Sequence, residues 1–159
     1  MTLPPFQAFL DAHAEAIHRF LVALLGAQEA DDALQETLIA ALRAYPRLRP
    51  GSNLRAWGLS IARNKAIDSA RARGRRPVPA GAGVEPAASA PGSASASADA
   101  DGDVWAAVRE LPPKQRTAIA LRYAADLTHR AVAVAMGVSE EAARRSASDG
   151  LKRLREVLS

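Results

Sequence analysis

One segment of the sequence, residues 53–76, is rich in cationic side chains that could bind an anion. It reads NLRAWGLSIARNKAIDSARARGRR and contains seven Lys or Arg residues against one acidic residue, Asp68. A helix that only covered a core would alternate the signs of its exposed charges, so this composition favours binding to phosphate groups. The cationic residues are Arg55, Arg63, Lys65, Arg71, Arg73, Arg75 and Arg76.

Two uncharged side chains of the same segment could contact nucleic-acid bases. Trp57, Asn64 and Arg71 are seven residues apart, which places stacking, hydrogen-bonding and phosphate-binding groups on one line of a helix. The Asn amide can both donate to and accept from a base edge. Trp57 borders Leu54 and Ile61, which favours a core position for the indole, with base stacking as the alternative.

Residue types that support catalysis or metal binding are scarce. The sequence has no Cys, and its three His residues, His13, His18 and His129, are scattered. No catalytic nucleophile, acid–base pair or cluster of metal ligands is recognisable in the sequence. We therefore expect neither an enzyme nor a bound cofactor or metal. The net charge of +4 favours an anionic partner.

Helices must position these side chains, because apolar residues recur at spacings of three and four and no alternating strand pattern occurs. The predicted fold class is therefore all-α. Residues 6–25, 29–45 and 54–73 are predicted to form a three-helix bundle, with Ser52 or Asn53 capping the third helix. The predicted buried stripe of the second helix is Leu34, Leu38, Ala41, Leu42 and Tyr45.

A change in composition divides the chain into two small domains. Residues 77–103 are mostly Ala, Ser, Pro and Gly with few large apolar groups, which predicts a flexible linker between a domain at 1–76 and a domain at 104–159.

The second domain has the layout of a helix-turn-helix. Thr128 and Ser139 are predicted to begin helices, and Gly137 lies at the turn between them. The last helix then leaves Arg144, Arg145 and Ser148 facing outward, where they could contact a major groove. The competing interpretation is that Arg144 and Arg145 are a solvated surface pair that follows Glu140 and Glu141 and binds no DNA.

Several motifs resemble those of the extracytoplasmic-function sigma factors of bacterial RNA polymerase, a group within the sigma-70 family. LQET, LRAW, IARN and AID occur in the first domain at the family's spacing, and ELPPKQR opens the second domain. The resemblance covers both domains and implies a helical region 2 and a helix-turn-helix region 4 joined by the linker. It also implies a factor that binds core polymerase and promoter DNA, melts the promoter and starts transcription without catalysis of its own.

The resemblance assigns polymerase docking to the helix that contains DALQETLIAAL. It implicates Asp32, Gln35, Glu36, Ile39 and Arg43 in binding the clamp coiled coil of the largest subunit, with the polymerase flap as a second contact of the factor. The first four residues are spaced i, i+3, i+4 and i+7, so they share one ridge. Acidic residues that favour the helix dipole would explain Asp32 but neither Gln35 nor Ile39.

By the same resemblance, the third helix and the loop before it bind the minus-10 promoter element and hold a base flipped out of the duplex. Asn64 lies at the matching position, and the cationic residues of the segment would neutralise phosphates.

Several positions depart from the family pattern, among them Arg145, Asp149 and Gly58. Arg144 keeps a basic contact position, but Arg145 replaces a small polar residue and Asp149 replaces an Arg, so contact with a minus-35 element is expected to be weak. Gly58 occupies a position where the family favours a bulky apolar residue.

Two other functions fit these observations. The altered recognition helix favours a sigma-like protein that binds an anti-sigma factor or polymerase without opening promoters. A helix-turn-helix regulator of duplex DNA is the second alternative, although a tethered single reading head suits palindromic operators poorly. The chain has no apolar run of about 18 residues and no signal-peptide pattern, so we expect a cytoplasmic protein without membrane contact. No feature of the sequence predicts a homodimer, and we expect a monomer when free.

Overall fold

The described part of the chain consists of helices, turns and loops, with no strand. This computed structural model describes the backbone of residues 2–75 and 96–159 and the side chains of residues 2–71 and 102–159. Its helices are α1 (Phe6–Leu25), α2 (Ala27–Ala44), α3 (Leu54–Arg75), α4 (Ala96–Arg109), α5 (Pro113–Ile119), α6 (His129–Met136) and α7 (Glu140–Leu158). The predicted all-α fold is confirmed.

The predicted linker, residues 77–103, lies largely outside the described residues. Helix α4 begins at Ala96, so its first turns fall within the segment that the composition assigns to the linker. The division into 1–76, 77–103 and 104–159 therefore stays a prediction.

Helices α1, α2 and α3 form a bundle around large side chains of α1. Phe9, Ile17, Phe20 and Leu21 are fully buried there. The side-chain oxygen of Asn53 accepts a hydrogen bond from the Ala56 amide at 3.0 Å, which satisfies a free N–H at the start of α3. Of the two predicted caps, Asn53 is therefore the one that serves α3.

Gly58 of α3 packs against side chains of α1. A Cβ atom at this position would lie 2.9 Å from Cζ of Phe9 and 3.0 Å from Cδ1 of Ile17. The Phe9 ring thus fills the space that a bulky residue on α3 would need, which explains the glycine at a position where the resemblance implies a large apolar residue.

The buried face of α2 is made of small residues. Ala30, Ala33, Thr37 and Ala41 are buried, and the Thr37 hydroxyl donates to the Ala33 carbonyl at 2.7 Å. Leu34 and Leu38 lie at the flanks, half-buried. The prediction that Leu42 is buried is wrong, because its side chain is 55% exposed. Small residues let α1 and α3 approach α2 closely, which leaves no room for a leucine at the centre of the contact.

Helices α5, α6 and α7 build the predicted helix-turn-helix. The hydroxyls of Thr128 and Ser139 accept hydrogen bonds from the amides of Ala131 and Ala142, and Gly137 takes a left-handed conformation between α6 and α7. Both predicted helix starts and the predicted turn are confirmed.

Helix α5 continues into a π-helical turn, residues 120–124. The Ala125 amide donates to the Ala120 carbonyl, five residues earlier, and Asp126 then adopts a left-handed backbone with φ of 59°. This wide turn ends the helix and redirects the chain into α6.

The two domains pack against each other. Helix α3 lies along α6, and α1 contacts both α4 and the π-helical turn. The Arg19 side chain donates to the Ala124 carbonyl at 2.9 Å, and the Arg109 side chain donates to the Ala23 carbonyl at 3.1 Å. Buried apolar residues of both domains form one continuous cluster. Among the described helices, none combines the length and apolar character needed to cross a membrane.

Candidate nucleic-acid interface

Helix α3 presents the predicted base-contacting amide to solvent. Asn64 is exposed, and Lys65 beside it is half-exposed. Trp57 lies seven residues before Asn64, about two helical turns, and packs its ring edge-to-face on Phe9 at a centroid distance of 5.4 Å. The indole therefore belongs largely to the aromatic cluster at the α1–α3 contact, and its half-exposed edge is what remains for stacking on a base.

Arg55 is held by groups of α1. Its Nε donates to Nδ1 of His13 at 3.2 Å, and a terminal nitrogen donates to the Ala12 carbonyl at 3.1 Å. Burial and the adjacent guanidinium together lower the pKa of His13, so its ring is favoured in the neutral form that accepts this hydrogen bond. In this arrangement Arg55 fixes α3 on α1, and a role in phosphate binding stays a prediction.

Two predicted phosphate-binding residues of α3 face the second domain. Arg63 and Arg71 line a cleft that is completed on the opposite side by Lys114 and Arg116 of α5. Neither Arg63 nor Arg71 has a hydrogen bond or ion pair with any described residue. The side chains of Arg73 and Arg75 and all of Arg76 lie outside the described residues, so their predicted roles have no structural counterpart here.

The recognition helix α7 exposes its predicted contact residues. Arg144, Arg145 and Ser148 all face solvent, as does Asp149. The Arg144 guanidinium forms an ion pair with the Glu140 carboxylate at 2.8 Å. Any anion that binds this arginine must therefore compete with an intrahelical carboxylate.

His129 lies close to Arg144 and to Arg122. Desolvation lowers the pKa of His129, and the guanidinium groups of Arg144 and Arg122 lower it further against the opposing effect of Glu140. The His129 ring is therefore favoured in its neutral form, and the positive charge here comes from the two arginines.

Helix α2 exposes the whole ridge that the sequence assigns to protein docking. Asp32, Gln35, Glu36, Ile39 and Arg43 are all exposed, while the opposite face of the helix is buried. Ile39 is 44% exposed and lies one turn from the exposed Leu42. The face thus combines an acidic and amide ridge with an apolar pair, a composition that suits a protein partner.

Comparison with known proteins assigns the chain to a family. The model of sigma-70 region 2 matches residues 9–76, and the model of sigma-70 region 4 matches residues 101–154. The RNA polymerase sigma factor CarQ of Myxococcus xanthus is 30% identical over 96% of this chain and 88% of CarQ. The chain is an extracytoplasmic-function member of the sigma-70 family. Members of this family act by binding, so the prediction that this sigma factor is not an enzyme is confirmed.

Solved and curated relatives agree with this assignment. The sigma factor RpoE of Bartonella quintana, solved in complex with the anti-sigma factor NepR, has a TM-score of 0.81 with this sigma factor at 29% identity, over 98% of each chain. The sigma factor SigC of Mycobacterium tuberculosis is 38% identical over 71 residues. That alignment covers 45% of this chain and 38% of SigC.

Sequence reasoning found the ridge on α2 but missed two features of this sigma factor. Leu42 was assigned to the core because large apolar residues usually lie inside, although its position three residues after Ile39 places both on one face. The sequence shows Lys114 and Arg116 only as part of the motif ELPPKQR. Because they are far from Arg63 and Arg71 in the chain, no spacing indicates that the four residues line one cleft.

Proposed function

We propose that this sigma factor binds bacterial core RNA polymerase and directs promoter recognition, promoter melting and transcription initiation. The observation that supports this most strongly is the exposed ridge of α2, Asp32, Gln35, Glu36, Ile39 and Arg43, opposite a buried face. Leu42 extends the ridge with apolar surface that docking would remove from water. The clamp coiled coil of the largest polymerase subunit is the proposed partner of this surface, and the flap is the proposed partner of the second domain.

Promoter melting in this proposal depends on capture of unpaired bases. Asn64 is exposed and can pair with a base edge, and the cations of α3 can hold the phosphates on either side. Stacking and hydrogen bonding to an unpaired base are worth about 1–3 kcal/mol, which offsets the few kcal/mol lost when the base leaves the duplex. Chemistry at the nucleotide is left to the polymerase.

Run-off transcription with purified core polymerase on a promoter library tests the proposal. A Gln35→Ala, Glu36→Ala double variant is expected to lose both polymerase binding and transcription. Asn64→Ala is expected to keep polymerase binding and to lose permanganate reactivity of the promoter bases. Gln28→Ala on α2 and Asp68→Ala on α3, both exposed outside the proposed contacts, serve as matched controls. If no promoter fires above core alone while polymerase binding persists, the initiation role must be abandoned.

A second candidate function is binding to polymerase or an anti-sigma factor without promoter opening. The Arg144–Glu140 ion pair and the exposed Asp149 favour it, because both weaken contact between α7 and DNA. RpoE, of similar structure, was solved with an anti-sigma factor. This function predicts that Asn64→Ala leaves the biological output unchanged, whereas the Gln35, Glu36 double variant abolishes it.

The remaining alternative, a regulator of duplex DNA, requires salt-sensitive binding to a specific duplex in the absence of polymerase. Action on polymerase places the protein in the cytoplasm, and we expect it to be a monomer when free. Light scattering coupled to gel filtration measures the latter directly.

A further inference from the structure

A cleft of about 470 Å³ lies between the two domains. One wall is formed by α3 and the end of α1, and the other by α5 and α6. Its volume falls within the range of small-molecule sites, and junctions between domains are a common location for them. The role proposed above for the α2 ridge and Asn64 makes no use of this space.

Part of the cleft lining is apolar, and this part is called its base below. Leu24 and Leu25 of α1, Ile67 of α3 and Met136 of α6 line it. An aliphatic chain placed there would remove hydrocarbon from water on both itself and these four side chains, which gives a favourable free energy of transfer.

Four cations surround this apolar base, two from each domain. Arg63 and Arg71 come from α3, and Lys114 and Arg116 come from α5. One terminal nitrogen of Arg116 donates to the Arg109 carbonyl at 3.0 Å, so its remaining N–H groups are left for a ligand. No carboxylate of the described residues lines the cleft to balance these charges. Like charges facing each other across a cleft repel, and a bound anion would relieve that repulsion.

We propose that this cleft binds a single-chain anionic amphiphile, an aliphatic chain carrying a carboxylate or phosphate head. The head contacts the cations contributed by both domains, and the chain lies on the apolar base. Because such a ligand touches both domains, it stabilises their packed arrangement by the free energy of binding. It also occupies Arg63 and Arg71, so it competes with promoter DNA, a consequence that rests on the proposed function.

Binding is tested on the full chain without polymerase or DNA, so the result is independent of the transcription experiments. Calorimetry at low ionic strength with dodecanoate and dodecyl phosphate, each below its micelle concentration, should give saturable binding at one site. Affinity should increase from butanoate to dodecanoate, as burial of hydrocarbon requires. The cation dodecyltrimethylammonium should not bind.

Two kinds of variant locate the site. Arg63→Gln and Lys114→Gln should each weaken dodecanoate binding about tenfold, the loss expected for one charge-assisted hydrogen bond. Arg153→Gln, which removes an exposed charge of α7 outside the cleft, should leave the affinity unchanged. Ala70→Trp fills the cleft without changing any charge and should abolish binding, whereas Ala8→Trp at an exposed position of α1 should not. Circular dichroism checks that each variant is folded.

Three results would overturn the proposal. If dodecanoate binds the Ala70→Trp variant as tightly as it binds the parent chain, its binding site is not this cleft. Inorganic triphosphate binding as tightly as dodecyl phosphate would mean that the cations alone form the site. Tighter binding of a designed acidic amphipathic peptide, with full displacement of dodecanoate, would assign the cleft to a protein partner.

Discussion

Arg109 of α4 donates a hydrogen bond from Nε to the backbone carbonyl of Ala23, near the end of α1, at 3.1 Å. A second nitrogen of the same guanidinium donates to the Val22 carbonyl at 3.3 Å. The Val22 carbonyl also accepts from the Gly26 amide at 2.8 Å, so the guanidinium is its second donor. Carbonyls at the end of a helix carry partial negative charge, so a cation is favourable there. One arginine of the second domain therefore satisfies the end of a helix in the first.

Removal of the Arg109 guanidinium should loosen the contact between the domains. Arg109→Met keeps much of the aliphatic stem but removes the inter-domain donor of the Ala23 carbonyl and the second donor of the Val22 carbonyl, at an expected cost of about 1–3 kcal/mol to domain packing. Small-angle scattering should report a larger radius of gyration. Arg153→Met on the exposed side of α7 is the control, and an unchanged scattering profile for Arg109→Met would contradict the prediction.

Removal of the Glu140 carboxylate should strengthen binding of α7 to DNA. The ion pair with Arg144 is exposed, so its loss costs little stability and frees the guanidinium for phosphate or base contacts. Glu140→Gln is expected to raise promoter affinity of the polymerase complex up to about fivefold, as fluorescence anisotropy on a minus-35 duplex would measure. Glu141→Gln removes an equal charge one residue away. Equal gains for both variants would indicate a general charge effect and not release of Arg144.

A basic residue at position 149 should restore a phosphate contact. Asp149 is exposed on α7 beside Ser148, where its carboxylate repels DNA. Asp149→Arg should tighten binding and make the slope of log affinity against log salt steeper by about one, the signature of one added phosphate contact. Glu156→Arg makes the same charge change farther along the helix, and an identical slope for both variants would exclude a local contact.

Gly150 is required by the crossing of α7 over α5. A Cβ atom there would overlap Cδ1 of the buried Ile119 side chain. Gly150→Ala should destabilise the protein by about 1–2 kcal/mol, because overpacking outweighs the gain of about 1 kcal/mol in helix propensity. Urea unfolding measures the change. In an Ile119→Val background, which lacks Cδ1, the same substitution should cost less, and equal costs in both backgrounds would contradict the steric explanation.

The His13 ring should titrate below its ordinary range. Burial, followed by the positive charge of Arg55, lowers its pKa from 6.5 in the folded state. Below pH 6.5 the unfolded chain therefore binds more protons at His13 than the folded chain does. The free energy of unfolding is unaffected by this residue above pH 6.5, and it falls as the pH drops from there towards the folded pKa. NMR titration of the His13 ring in buffer and in urea compares the two values. A midpoint that is the same in both would contradict the assigned contacts.

Local signals in the sequence were sufficient to predict where several helices begin. Asn53, Thr128 and Ser139 cap helices because short polar side chains satisfy free amides next to them in the chain. The ridge of α2 came from the family resemblance, and the spacing of its residues agreed with a single exposed face. Leu42 was misplaced because periodicity identifies a face but not how closely two helices approach across it.

The packing of one domain on the other could not be predicted from the sequence. Arg109 donates to backbone carbonyls of residues more than eighty positions earlier. Every residue has a backbone carbonyl, so the type of residue at the acceptor position does not indicate this hydrogen bond. The cleft between the domains has the same origin, since Arg63 and Lys114 meet only through this long-range packing.

The contact between Gly58 and Phe9 imposes a reciprocal rule on side-chain volume. Because the Phe9 ring occupies this contact, a side chain at position 58 would require the ring to shift. A smaller residue at position 9 would open space for a larger one at position 58. Among relatives, the two alignment columns should therefore covary in size, and a departure at one column is meaningful only together with its counterpart.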